Sequence, residues 1–126
     1  MINDILIKRW VILQHTISRD SIEGLHFDLL LEDQCSCRTW RLPSIPQVGG
    51  PLIEAIPQPP HNLYWLDREE SLVSGGRGWA KRVLHGKFYG SLPSNIDEFI
   101  FIQLSSNSLN GQLVLGNRSC RITVSL

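Results

Sequence analysis

The segment Gly24 to Glu32, GLHFDLLLE, alternates in side-chain character with a period of two. In an extended strand successive side chains stand on opposite faces. Leu25, Phe27, Leu29 and Leu31 therefore share one face, and His26, Asp28, Leu30 and Glu32 share the other. Period two recurs along the chain, and no segment carries a helical apolar stripe over three turns or more. Arg9 to Gln14 reads as a buried strand. Asp33-Gln34 reads as a hairpin turn from which Cys37 to Leu42 returns. Further strands are predicted over Trp79 to Leu84, Lys87 to Leu92, Glu98 to Leu104 and Leu109 to Leu115, with Arg121 to Leu126 closing the sheet. Turn residues separate them at Gly75-Gly76, His85-Gly86, Pro93 to Asn95, Ser105 to Ser108 and Gly116-Asn117. The expected fold is all-β, a small closed or partly open barrel of about six to eight mostly antiparallel strands.

One stretch breaks the rhythm. Pro43 to Pro60 holds six of the seven prolines and the Gly49-Gly50 pair. Proline has no N–H to give a sheet, so a central strand or a long helix is excluded there. The stretch reads as a long ordered loop across the barrel mouth, with room for a short helical turn; a flexible loop is the alternative.

The 126 residues form a single domain, 1–126, long enough to bury one core. Twelve basic residues balance twelve acidic ones, which disfavours wrapping of long duplex nucleic acid. A short strand end or a small phosphorylated ligand stays within reach. The longest apolar runs, Trp10 to Leu13 and Phe99 to Ile102, are far too short to span a bilayer, so no membrane partner is expected. The N-terminus has no secretory signal pattern. Three cysteines, Cys35, Cys37 and Cys120, make no disulfide framework. The expected location is a reducing cytoplasm.

The chemistry-bearing residues cluster around histidine. His26 and Asp28 stand two apart on one strand face, opposite the Leu25/Phe27/Leu29/Leu31 stripe. In a barrel, a His-x-Asp pair facing the interior is half of a metal site, and imidazole with carboxylate suits a divalent ion such as manganese or zinc. On an outer face the same pair is a solvated polar edge. His15 ends the preceding strand and is the third candidate ligand. Cys35 and Cys37 read as a metal pair or, with their third partner remote in sequence, as free thiols. Trp10, Trp40 and Trp79 read as core aromatics, Trp65 as the aromatic nearest the candidate site, and His85 as a solvated turn residue.

Val11 to Pro43 resembles the 3′-phosphoesterase domain family of bacterial DNA ligase D. Gln14-His15, Leu25-His26-Phe27-Asp28-Leu29-Leu30-Leu31-Glu32, Trp40 and Pro43 follow that family's order. His61 to Gly78, with its tyrosine, its acidic cluster and Ser74-Gly75-Gly76-Arg77-Gly78, resembles the stand-alone members. Leu109 to Leu113 resembles the closing strand. The resemblance covers most of the chain. It implies a small barrel with a manganese and phosphate site in its concave interior, acting in end repair. It implies removal of 3′-phosphates or 3′-ribonucleosides from DNA or RNA ends, beside DNA-repair proteins. Carried over by position, His15, His26 and Asp28 match the metal ligands. His61 matches the histidine that contacts the scissile phosphate, where it would stabilise charge or protonate the leaving oxygen.

Three positions depart from the pattern. Leu30 stands where the family has an arginine, on the same strand face as Asp28. Trp65 stands at the family's tyrosine, and the adjacent Tyr64 would face the other way on a strand unless a bulge intervenes. The ten-residue loop between His15 and His26 is longer than in ligase-fused members and would carry His15 away from the ion. Arg77, in its glycine-rich turn, and Arg19, in the long loop, are the candidate replacements for the missing arginine, with Tyr64 a further phosphate contact. The plain alternative for the turn is a hairpin with a solvated arginine. Two readings follow: a metal-dependent phosphoesterase with weakened activity, or a non-catalytic module that keeps the barrel and binds nucleic-acid ends or a partner. A third is a structural barrel whose His26 and Asp28 bind nothing.

Overall fold

A computed structural model describes residues 7–125. Ten strands run through it in one sheet: β1 (Ile7–Thr16), β2 (His26–Glu32), β3 (Cys37–Leu42), β4 (Ile53–Glu54), β5 (Ile56–His61), β6 (Glu70–Leu72), β7 (Trp79–Tyr89), β8 (Ile100–Ser105), β9 (Gly111–Gly116) and β10 (Ser119–Thr123). The order across the sheet is β4-β10-β9-β8-β7-β1-β2-β3-β5, with β6 on the flank of β7. Every strand pair is antiparallel, and an isolated parallel bridge joins Val48 to Ile122. The fold is thus all-β, with more strands than the six to eight expected. The ladder does not close on itself. Its two end strands, β4 and β5, are consecutive in the chain and separated only by the buried Ala55.

The apolar runs in β1 and β2 have a direct cause. Trp10, Ile12, Leu29 and Leu31 enter the main core, while Val11, Leu13 and Leu30 enter a smaller apolar cluster on the opposite face. Strands covered on both faces read as continuous hydrophobic runs rather than alternating ones. The second cluster is roofed by a 3₁₀ turn, Leu63–Leu66, which contributes Trp65 and Leu66. Its cap is built locally: the Asn62 side chain accepts from the Tyr64 N–H at 2.9 Å. Arg82 fastens the turn from below, donating to the Leu66 carbonyl at 2.9 Å.

Two expectations need correction. The proline-rich stretch is not all loop, because Ile53–Glu54 and Ile56–His61 are strands. Proline is tolerated in β5 because this strand lies at the end of the ladder, where one row of N–H groups has no strand to serve. His85-Gly86 is not a turn. Trp79–Tyr89 is one strand, and Gly86 is paired with Trp10. A Cβ on Gly86 would lie 2.2 Å from the Ser105 carbonyl oxygen and 2.8 Å from the Trp10 indole nitrogen, so the glycine serves close packing rather than chain reversal. A bulge at Val83 shifts the β1–β7 register between Ile12 and Leu13. It lets Val83 and Leu84 both pack on the main core. The expected closing strand, Arg121 to Leu126, is displaced: β10 starts two residues earlier, at Ser119, and ends at Thr123, and Leu126 lies outside the described residues.

Candidate metal centre

The antiparallel pairing of β1 with β2 sets His15 directly opposite His26. The intervening loop does not carry His15 away, because it folds back on itself: the Ile17 N–H donates to the Glu23 carbonyl at 2.9 Å. The imidazole rings meet edge to face with centroids 4.6 Å apart. Asp28, two residues along β2, joins them on the same face. Its carboxylate oxygen Oδ2 lies 3.6 Å from His15 Nδ1 and 3.7 Å from His26 Nε2. One donor atom from each of the three residues falls within 4.8 Å of the others.

The other nitrogen of each ring decides where its proton sits. His15 Nε2 lies 2.7 Å from the Arg77 carbonyl, and His26 Nδ1 lies 3.0 Å from the Gly24 carbonyl. A carbonyl only accepts, so each of these nitrogens carries the hydrogen. In the neutral rings the lone pairs are then left on His15 Nδ1 and His26 Nε2, both directed toward Asp28. His26 Nε2 is buried and has no hydrogen-bond partner. Asp28 is itself only 4% exposed. With both rings neutral, three electron-rich atoms converge with no hydrogen among them, an arrangement that costs free energy unless a proton or a metal cation enters. The two distances to Asp28 suit such an ion, since ligands about 2.1 Å from a common centre at tetrahedral angles stand about 3.4 Å apart. Backbone carbonyls that fix the outer nitrogens are the usual support of metal-binding histidines.

Asp28 and burial act differently on the two rings. Asp28 holds His15 above the ordinary imidazole range, against partial burial. Burial holds His26 below it, with Asp28 opposing. The positive charge of Arg41 disfavours protonation of both.

A cleft of about 520 Å³ opens beside this cluster, lined by His15 and Asp28 together with His61, Tyr64, Arg77 and Arg41. His61 reaches it through a bulge in β5. Cys37 is opposite His61 and Thr39 opposite Gln58, so β3 spends two residues where β5 spends three. The extra residue turns His61, rather than Pro60, onto the face shared with Cys37 and Thr39. Its Nδ1 lies 3.2 Å from the Pro59 carbonyl, so that nitrogen carries the hydrogen and Nε2 has no partner among the described residues.

Tyr64 and Trp65 both line the cleft, because they lie in a 3₁₀ turn and not in a strand. Neighbours in such a turn are not on opposite faces. Tyr64 is 39% exposed with the Arg68 guanidinium over its ring at 4.7 Å, and Trp65 is 6% exposed. Leu30 is fully buried in the cluster that Trp65 covers. The two departures from the family pattern are therefore one feature, an apolar floor beneath the cleft.

The expected arginines take other places. The Arg77 guanidinium folds back on its own turn, donating to the Ser74 carbonyl at 2.7 Å and to the Ser74 hydroxyl at 2.9 Å. What Arg77 offers the cluster is its carbonyl. Gly78 makes this approach feasible: with φ of +107°, a Cβ there would lie 2.2 Å from the Thr16 carbonyl oxygen and 3.1 Å from His15 Nε2. Arg19 lies outside the cleft, over the Trp79 ring at 5.3 Å and 3.8 Å from Glu70.

Sequence reasoning missed Arg41 and Gln58, both in the cleft lining. Arg41 is the partner of Asp28 across the β2–β3 ladder. The hairpin register carried that signal, since residues opposite one another share a face. All three cysteines are free. Burial pushes the thiols of Cys37 and Cys120 up to about 11, which leaves both protonated and poor metal ligands near neutral pH.

No helix among the described residues is long and apolar enough to cross a membrane. No family model matches the chain, and no curated protein matches it.

Proposed function

We propose that the protein is a metal-dependent phosphoesterase acting on 3′-phosphate or 3′-ribonucleoside ends of DNA or RNA in end repair, as the resemblance of its motifs implies. The observation that carries this reading is the convergence of three donor atoms, from His15, His26 and Asp28, at the wall of a cleft. These residues would hold the ion, with manganese the species that the resemblance implies and zinc suited to the donors. When bound, a divalent ion polarises a phosphoryl oxygen and acidifies water.

The chain's own residues supply the rest. His61, once protonated at Nε2, would deliver that proton to the leaving oxygen. The Arg77 and Gly24 carbonyls hold the two imidazoles in orientation. The cleft sets two arginines against one aspartate, and that balance favours an anionic ligand even before a cation is counted. The free thiols fit a reducing cytoplasm.

The test is phosphate release from a primer–template bearing a 3′-phosphate. The expected result is release that requires Mn²⁺, stops with EDTA and is lost in His26→Ala. A second reading is favoured by the apolar floor, because Leu30 offers no hydrogen bond to a phosphate where the family pattern has an arginine. On that reading the chain is a non-catalytic module that binds nucleic-acid ends or a partner. A folded, metal-loaded protein that binds 3′-phosphorylated ends and releases nothing would establish it and overturn the enzyme.

A further inference from the structure

We infer that Arg41 is the anion anchor of the cleft: the guanidinium that grips the terminal phosphate comes from strand β3, not from the β2 position now held by Leu30. This inference rests on the proposed function and names the group that selects its ligand. β2 itself has no cation to give, because the residue two beyond Asp28 is Leu30, sealed under Trp65. Arg77 has spent its guanidinium on Ser74, and Arg19 lies over Trp79. Arg41 differs from both. It is exposed, it lines the cleft, and among the described residues it forms no ion pair.

Its position is set by the ladder. Asp28 and Arg41 are direct partners in the β2–β3 pairing, so their side chains rise side by side from one face. A guanidinium there stands beside the carboxylate that completes the donor cluster. A phosphate at the cluster would then meet a planar, permanently charged donor suited to two oxygens at once. The cation thus stands one strand to the side of the position where the family pattern has it, and that position on β2 holds a buried leucine.

The experiment measures binding of two oligonucleotides of one sequence, ending in a 3′-phosphate or a 3′-hydroxyl. It is done in EDTA, so that no turnover occurs and the preference reports the protein's own cations. The wild type is expected to prefer the phosphate by about tenfold or more, as a charge-assisted contact allows. Arg41→Ala is expected to bind both alike, and Arg41→Lys to retain part of the preference. Arg41 is exposed, so neither change empties the core. An undiminished preference in Arg41→Ala would overturn the inference. A wild type that releases phosphate with Mn²⁺ but shows no preference in EDTA would overturn it too, while leaving the enzyme reading intact. A wild type with neither property would end both.

Discussion

At Leu30 the cleft departs from the family pattern that the sequence resembles. Restoring an arginine there looks like repair on the sequence and like damage in the fold. The site is fully buried, in a cluster with Val11, Leu13, Trp65 and Ala80. A guanidinium without a partner in such a place costs several kcal/mol. Leu30→Arg is therefore expected to lower the melting temperature sharply and to leave metal-dependent phosphate release no higher than in the wild type. A stable Leu30→Arg protein with raised activity would show that the cleft reaches the floor and that the apolar cluster is dispensable. Residue chemistry was legible at His26 and Asp28 because period two placed them on one face. It was not legible at Arg77, whose side chain and carbonyl do opposite things. Only the contact of its carbonyl with His15 reveals the useful half.

Among the elements, the turn Ser74 to Gly78 acts as a strut against the end of β1. Its effect on the cluster is carried by one carbonyl and allowed by one glycine. Gly78→Ala would force a Cβ into the Thr16 carbonyl, a clash expected to cost about 1–3 kcal/mol. It would also move the carbonyl that holds His15, and loss of such outer support weakens metal affinity by about 10–100-fold. Thermal melts and Mn²⁺ titration of the variant read the two effects separately; an unchanged affinity would remove the strut from the account. Legibility varied by element for physical reasons. β2 and β3 were plain, because a hairpin advertises itself by alternation on either side of a turn. β5 was hidden, because prolines that disqualify a central strand are harmless at the end of a ladder. Gly86 misled, because a glycine needed for space against Trp10 looks the same in sequence as one needed for a turn. Arg41 was within reach of the sequence, since pairing Glu32 with Cys37 puts Arg41 opposite Asp28.

Across the whole molecule, the roof of the second cluster is tied to the sheet by charge as well as by packing. Arg9 on β1 donates from Nε to Glu32 at 3.2 Å and from Nη1 to Asp67 at 2.9 Å, joining two strands to the cap of the 3₁₀ turn. Burial alone would raise the Glu32 carboxyl, but the hydrogen bonds and charge of Arg9 hold it below the usual glutamate range. The folded state then binds this proton less tightly than the unfolded chain. Its contribution is complete above the unfolded value of about 4.3 and is lost as pH falls through the folded value. Glu32→Gln is expected to destabilise the protein by about 1 kcal/mol near neutral pH, a modest figure because the pair is partly solvated. The melting curves of the two proteins should draw together once pH is below both values. A gap that persisted in acid would mean that Glu32 acts through packing and not through charge.

The claim on which the rest depends is that the lone pairs of His15 and His26 and the Asp28 carboxylate await a divalent cation. Titration of Mn²⁺, followed by the electron paramagnetic resonance signal of the free ion, tests it without reference to any substrate. A single saturable site is expected in the wild type. Asp28→Asn, nearly identical in shape, is expected to weaken the site by more than about a hundredfold, since even outer support is worth about 10–100-fold. A wild type that takes up no ion, or an Asp28→Asn protein that takes up Mn²⁺ as well as the wild type does, would contradict it.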